Sequence, residues 1–127
     1  MPALLCLLGI AILFASCATV LPPIRDGISS AELIQKAQER SDAYDWKGAQ
    51  YYYKALLEKF PQDNSLVVTA MYELAFIEHK QGHTEAARAG FLAVLDKYAA
   101  VDGALLPTTW KTLSEKVLAG LPKPPAK

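Results

Sequence analysis

Cysteine is scarce in this sequence, and charge is absent from its beginning. Only Cys6 and Cys17 are cysteines among the 127 residues, which argues against a disulfide framework or a cysteine metal site in the domain that follows. The first charged residue is Arg25, so all 13 basic and all 13 acidic residues lie after position 24. The resulting zero net charge favours neither nucleic-acid binding nor attraction to an anionic membrane surface.

Residue patterns that carry catalysis are also missing from the sequence. It contains no glycine-rich phosphate loop and no cluster of carboxylates, and no catalytic nucleophile stands out. His79 and His83 lie four positions apart, but Gly82 stands between them, and the surrounding stretch does not match the HExxH zinc motif. We therefore expect a protein that is not an enzyme and that holds no metal or other cofactor.

The apolar residues after position 28 recur at helical spacing, and nowhere do they alternate with a period of two. The predicted fold class is therefore all-α, with one domain over residues 29–121. Five helices are expected, over residues 29–43, 45–60, 65–81, 84–98 and 107–121. The central one, SLVVTAMYELAFIEHKQ, is apolar nearly all round, which indicates a helix buried by its neighbours.

The segment 1–16 has the composition of a signal peptide. The apolar run over residues 3–15 is 13 residues long, which suits a signal peptide better than a membrane span of about 20 residues. Phe14, Ala15, Ser16 and Cys17 resemble the lipobox of bacterial lipoproteins, a bulky apolar residue followed by two small ones and a cysteine. The resemblance implies cleavage between Ser16 and Cys17 and a covalent lipid on Cys17 that anchors the protein in a membrane.

Two other interpretations of this segment stay open, an uncleaved membrane anchor over residues 3–21 and another exported form. With Cys17 acylated, Ala18 in the next position resembles the pattern of lipoproteins that are sent to the outer membrane. Residues 17–28 then form the acylated cysteine and a flexible tether that contains Pro22 and Pro23. Residues 122–127 form a polar tail.

Two of the predicted helices share a pattern of small and large residues. Ala49, Tyr53 and Leu56 match Ala87, Phe91 and Val94 at one constant offset along the sequence. This pattern resembles the tetratricopeptide repeat (TPR), in which a small residue lets two antiparallel helices approach and an aromatic one fills the gap to the next pair. The matching positions are Trp46, Ala49, Tyr53, Leu56 and Pro61 in the first copy and Met71, Leu74, Ala75, Gly82, Ala87 and Phe91 in the second. The resemblance implies two antiparallel helix pairs and a C-terminal capping helix.

The phrases LLEKFPQDNS and MYELAFIEHKQGHTEAARAGFLAVLDKY resemble TPR lipoproteins of bacterial envelopes, among them BamD-type proteins and the TPR protein associated with the Tol–Pal system. The resemblance implies a non-catalytic adaptor that faces the periplasm and binds an envelope protein through its TPR surface. One alternative is an accessory subunit of a transporter or secretion complex, held in the inner membrane by an uncleaved helix. Another is a structural partner that packs on a second TPR chain, which allows a homo-oligomer.

TPR proteins bind peptide segments in a groove lined by the first helix of each pair. Carried over to the second repeat, the groove positions are Thr69, Tyr72, Phe76, His79 and Lys80. An aromatic pair followed by a cation would hold an apolar side chain of a peptide and a nearby carboxylate. The alternative is that the fifth helix folds back and covers this row.

Three consecutive tyrosines, Tyr51, Tyr52 and Tyr53, also allow two interpretations. Only Tyr53 stands at the packing position of the repeat, and helical rotation spreads the three rings over about 200°. One interpretation is packing within and between the repeats, and the other is a ligand-contacting surface.

Overall fold

A computed structural model of the chain describes residues 20–124 and 126, and in these residues all regular secondary structure is helical. The elements of that part are α1 (Ser30–Asp42), α2 (Trp46–Lys59), α3 (Asn64–Lys80), α4 (Thr84–Ala99), a 3₁₀-helix (Val101–Leu105) and α5 (Thr108–Gly120). The predicted all-α class is confirmed. None of the described helices is long and apolar enough to span a membrane. The predicted signal peptide, its cleavage site at Ser16 and the lipid-bearing Cys17 lie outside the described residues.

Three of the helices begin where a side-chain oxygen accepts a hydrogen bond from a backbone N–H three residues later. The pairs are Ser29 and Glu32 at α1, Asp45 and Gly48 at α2, and Asp63 and Leu66 at α3. Each such cap satisfies one of the N–H groups that the first helical turn leaves unpaired, and contributes about 1 kcal/mol.

The start of α4 differs from these three. Thr84 is the first helical residue, and His83 is the capping residue. Among the described residues, the side chain of His83 makes no capping hydrogen bond. The imidazole of His83 instead lies with its Nδ1 atom 2.6 Å from Oε2 of Glu78. Because that ring is held by the preceding helix, it does not reach the first turn of α4.

Consecutive helices pack against each other along the chain. The connections over residues 43–45, 60–63 and 81–83 are short, which leaves neighbouring helices antiparallel. The helices α1 and α2 pack together, α3 lies between α2 and α4, and α5 contacts both α3 and α4. One cluster of buried residues joins α1 and α2 to one side of α3, and a second joins α3 and α4.

The central helix α3 is buried on part of its surface only. Its buried side chains are Val68, Ala70, Tyr72, Ala75 and Ile77. Met71, Leu74 and Phe76 stay partly exposed. The expectation of a helix covered on every side is corrected accordingly, because α2, α4 and α5 together leave one side of α3 facing a cleft beside α1.

Part of the segment predicted as a flexible tether packs on the domain. Ile28 is 6% exposed and belongs to the core cluster between α1 and α2, and Ile24 packs against the same cluster. The hydroxyl of Tyr51 donates a hydrogen bond of 3.0 Å to the carbonyl of Pro22. The two isoleucines bury apolar surface, which stabilises this docked arrangement.

Candidate functional site

The turns that end α1 and α3 have the same hydrogen-bond pattern. In the first, the N–H groups of Tyr44 and Asp45 donate to the carbonyls of Ser41 and Arg40, at 3.0 and 2.9 Å; in the second, those of Gly82 and His83 donate to His79 and Glu78, at 3.1 and 2.9 Å. Each residue of the first turn corresponds to one residue of the second turn. The offset between them along the sequence is the same as that between the two copies of the helical pattern. Both turns are Schellman motifs, in which the residue after the helix adopts a left-handed conformation.

Tyr44 occupies the left-handed position of the first turn, where the second turn has Gly82. Its φ angle is 57°, and that of Gly82 is 78°. Within the described part of the chain, Tyr44 is the non-glycine residue with a positive φ. A residue with a Cβ atom loses about 1–2 kcal/mol in this conformation. The turn is therefore kept at a cost to the fold.

Each turn is also clamped by a pair of side chains, in which the acidic residue comes second in the first turn and first in the second turn. Nη1 of Arg40 lies 3.0 Å from Oδ2 of Asp45 in the first turn. In the second turn the corresponding residues are Glu78 and His83, with 2.6 Å between Oε2 and Nδ1. These contacts hold each connection against the helix that precedes it.

A cleft of about 390 Å³ opens between α1 and α3, next to the first turn. Asp42 and Tyr44 border it at the end of α1, and Glu73, Phe76 and Lys80 line it from α3. These three residues of α3 are spaced three and four apart, so they share one face of that helix. The cleft therefore has one wall of aromatic and charged side chains, in positions fixed by a regular helix.

Aromatic rings form the rim and the floor of this cleft. The side chain of Tyr44 is 78% exposed and lies edge-on to Trp46, with 5.7 Å between the ring centroids. Tyr53 is buried at the floor. Nζ of Lys80 lies 5.2 Å from the centroid of Phe76, within the range of a cation–π contact.

The carboxyl groups of the cleft act on their buried neighbours. Burial raises the pKa of Glu73, because the charged form loses hydration. Burial also raises the pKa of Tyr53, and the negative charges of Glu73 and Asp42 raise it further. Glu73 therefore holds its proton to higher pH than an exposed glutamate, and Tyr53 stays a neutral phenol at physiological pH.

The predicted groove row on α3 is divided by the fold. Phe76 and Lys80 line the cleft, whereas Tyr72 is 6% exposed and lies under α5. The ring of Trp110 on α5 stacks at a tilt on Tyr72, with 4.8 Å between centroids. The fifth helix thus covers the row at Tyr72 and leaves it open at Phe76 and Lys80.

The two other residues of that row lie outside the cleft lining. His79 is exposed, with its ring 6.1 Å from that of Phe76. The hydroxyl of Thr69 donates a hydrogen bond of 2.8 Å to the carbonyl of Ser65 within the same helix. In the described residues no group of three or more His, Cys, Asp and Glu side chains is arranged to hold a metal ion.

The residues predicted to pack the repeats lie mostly in the core. Ala49, Tyr53, Ala75, Ala87 and Phe91 are buried, Leu74 is partly buried, and Gly82 forms the left-handed turn. Among the consecutive tyrosines, Tyr52 is buried like Tyr53, and Tyr51 binds Pro22 through its hydroxyl.

Sequence reasoning overlooked four residues that matter here, which are Asp42, Tyr44, Glu73 and Gly90. A Cβ atom built at Gly90 on α4 would lie 2.6 Å from the Cβ of Ala75 on α3, so this glycine sets the approach of the two helices. The offset between the two copies of the helical pattern, applied to Gly82, points to Tyr44. Asp42 and Glu73 carried no such signal, because single acids on a helix usually indicate its solvated face.

Comparison with known proteins gives a relative without an assigned role. No protein-family model matches the chain, and no solved structure matches it. An uncharacterized protein of Treponema pallidum (strain Nichols) is 33% identical over 114 residues, which are 89% of this chain and 46% of that protein. The chain is thus similar to a protein of which it spans about half the length.

Proposed function

We propose that this protein is a non-catalytic, membrane-anchored lipoprotein that acts as a protein–protein interaction adaptor in a bacterial envelope complex. The anchor would be a lipid on Cys17, with the outer membrane favoured and the helical domain facing the periplasm. Residues 14–17 and the following Ala18 support this address through their resemblance to the lipobox and to the sorting pattern.

The proposal includes a TPR-like arrangement of the helices. The helices α1 and α2 would form one repeat, α3 and α4 a second, and α5 the cap at the end. The observation that carries this part is the recurrence of one turn, with the same backbone hydrogen bonds and the same left-handed backbone position, at Tyr44 and Gly82. Small buried residues at equivalent positions, Ala49 and Ala87, support it further.

In this arrangement α1 and α3 are the first helices of successive pairs. The cleft lies between them, where the groove of a TPR domain receives a segment of its partner. Exposed side chains at its border, including Gln38 and Tyr44, are available for contact. We assign the cleft as the surface through which the adaptor holds an envelope protein.

Site-specific photo-cross-linking in cells tests this assignment. A photoreactive amino acid replaces Gln38 at the cleft or, as the control, Glu115 on the exposed face of α5. The proposal expects a discrete cross-linked partner at position 38 and none at position 115. The same product at both positions, or none at position 38, contradicts the assignment.

The alternative localisation is the inner membrane. Residues 3–21 would then remain as an uncleaved helix, and the domain would serve a transporter or secretion complex. The long apolar N-terminal stretch is the observation that favours it. Treatment of cells with globomycin, which blocks lipoprotein signal peptidase, separates the two. Accumulation of a longer precursor supports the lipoprotein, and an unchanged length supports the uncleaved anchor.

Self-association is tested separately by sizing chromatography of a dilution series. A structural partner that packs on a second copy of this chain dissociates as the concentration falls. A species of monomer size at every concentration contradicts that role and leaves the adaptor function unaffected.

A further inference from the structure

We propose that the cleft between α1 and α3 recognises a basic side chain, lysine or arginine, in a peptide segment of the partner protein. The inference rests on the proposed function, in which this cleft receives such a segment. It reverses the expectation from the sequence that Lys80 would receive a carboxylate.

The aromatic content of the cleft favours a cation. Tyr44, Trp46, Tyr53 and Phe76 all line it, and the faces of such rings are negative ends of quadrupoles that attract ammonium and guanidinium groups. Tyr44 and Trp46 stand edge-on at the rim, with 5.7 Å between centroids. The cleft thus offers several aromatic rings to a cation, with Tyr44 and Trp46 at its rim.

A cation of the chain itself already lies over one of these rings. The ammonium group of Lys80 lies 5.2 Å from the centroid of Phe76. It stands in the place that we assign to the basic side chain of a partner. Lys80 is exposed at the end of α3, so its flexible side chain can swing away when a second cation enters.

The charge balance of the cleft points the same way. Two carboxyl groups, Asp42 and Glu73, face one ammonium group, Lys80. The neighbouring guanidinium of Arg40 is engaged 3.0 Å from the carboxylate of Asp45. A basic side chain would therefore find one carboxyl group more than the ammonium group of the cleft balances, whereas an acidic one would meet like charge.

The strained position of Tyr44 gives an independent reason to assign the rim to binding. Gly82 adopts the corresponding backbone in the second turn without a side chain. The ring of Tyr44 is largely exposed, so its burial contributes little to the core. What this residue adds to the turn is an aromatic ring at the mouth of the cleft. Strained backbone of this kind is concentrated at functional sites.

A titration of the full-length protein with peptides tests the proposal. The protein is kept in a non-ionic detergent, and binding is monitored through the ¹⁵N NMR signals of the tryptophan indoles. The probes are three capped pentapeptides, Gly-Leu-Lys-Leu-Gly and the same peptide with glutamine or glutamate in the centre. Trp46 reports on the cleft, and Trp110, which packs on Tyr72, is the internal control. We expect the lysine peptide to shift the Trp46 signal alone, with a Kd at least about threefold lower than that of the glutamine peptide.

Substitution of Lys80 should change the Kd in opposite directions for a basic and for an acidic peptide. Lys80→Ala removes the competing ammonium group and should tighten the lysine peptide by about two- to fivefold. Lys116→Ala, an exposed change of equal charge on α5, should leave the Kd unchanged. Asp42→Asn should weaken the same peptide.

The outcomes separate the inference from the proposed function. Tighter binding of the glutamate peptide, lost in Lys80→Ala, overturns recognition of a basic side chain and leaves a peptide-binding cleft. Equal binding of all three peptides also overturns recognition of a basic side chain and leaves a peptide-binding cleft. If no peptide shifts the Trp46 signal at millimolar concentration, the cleft does not bind peptides, and both the inference and its parent assignment fail.

Discussion

Tyr44 and Gly82 occupy the same place in two successive turns that have the same backbone hydrogen bonds. One carries a large side chain in a left-handed conformation, and the other carries none. The chain therefore contains its own comparison between a turn that is free of side-chain strain and one that is strained. The difference lies next to the cleft between α1 and α3.

Substitutions at these two positions should change the free energy of unfolding in opposite directions. Gly82→Ala should lower the free energy of unfolding by about 1 kcal/mol, since a Cβ atom is disfavoured at this φ. In the described residues no atom lies within 4 Å of that Cβ position, so the loss isolates backbone strain. Tyr44→Gly should raise the free energy of unfolding by up to about 1 kcal/mol, because relief of strain exceeds the loss of an exposed ring.

Urea unfolding followed by circular dichroism measures both changes. Gly120→Ala, also clear of contacts within the described residues and without a positive φ, is the control and should be neutral or slightly stabilising. Stabilisation by Gly82→Ala would show that the left-handed turn is not maintained in solution.

Gly90→Ala should destabilise the protein through a different mechanism. The new methyl group would lie 2.6 Å from the Cβ of Ala75 and 3.2 Å from its Cα, so α3 and α4 must separate. Overpacking of this kind costs about 1–3 kcal/mol, despite the higher helix propensity of alanine. A melting temperature equal to that of the unsubstituted protein would contradict the close approach at this point.

Ala87→Leu should have a similar effect, because Ala87 is fully buried between α4 and its neighbours. We expect a loss of about 1–3 kcal/mol in the free energy of unfolding. Ala86→Leu, at the adjacent exposed position of the same helix, is the matched control and should be nearly neutral. Equal melting temperatures of the two variants would argue against the assigned repeat register.

Glu73 should make stability fall as pH rises. Burial raises the pKa of this carboxyl in the folded state, so the folded protein binds the proton more tightly than the unfolded chain. Between the ordinary value of 4.5 and the raised folded pKa, the unfolded state ionises first and gains relative to the folded state. Below 4.5 the penalty is absent, and above the folded pKa it is complete.

Glu73→Gln should therefore be more stable than the unsubstituted protein at neutral pH and equal to it below pH 4.5. The other titratable groups around this carboxyl, Tyr53, Tyr72 and the more exposed Asp42 and Lys80, are present in both proteins. Glu115→Gln, on the exposed face of α5, should show no such trend. A difference that does not vary with pH would contradict the burial of Glu73.

Local sequence signals were sufficient for the helices and for much of their packing. The spacing of Ala49, Ala87 and Phe91 predicted small and aromatic core positions, and all three are buried. The packing of Ile28 was hidden by the prolines before it, whose composition is typical of a linker. Composition alone does not report which apolar side chains find a neighbour.

The cleft itself was beyond local signals, because it depends on where α1 lies relative to α3. The sequence predicts Phe76 and Lys80 as groove residues, and their contact is local to α3. The position of Asp42 on the other side of the cleft is a tertiary arrangement. Tyr44 was overlooked because its backbone conformation, rather than its residue type, is unusual.

The most direct test of the account is the intact mass of the full-length protein extracted from membranes, beside that of a Cys17→Ala variant. We predict a chain that begins at residue 17 and carries diacylglycerol and a fatty acid, with both the cleavage and the lipid lost in the variant. A full-length, unmodified chain whose processing is unaffected by the substitution would contradict it and would assign the segment 1–24 to a membrane anchor.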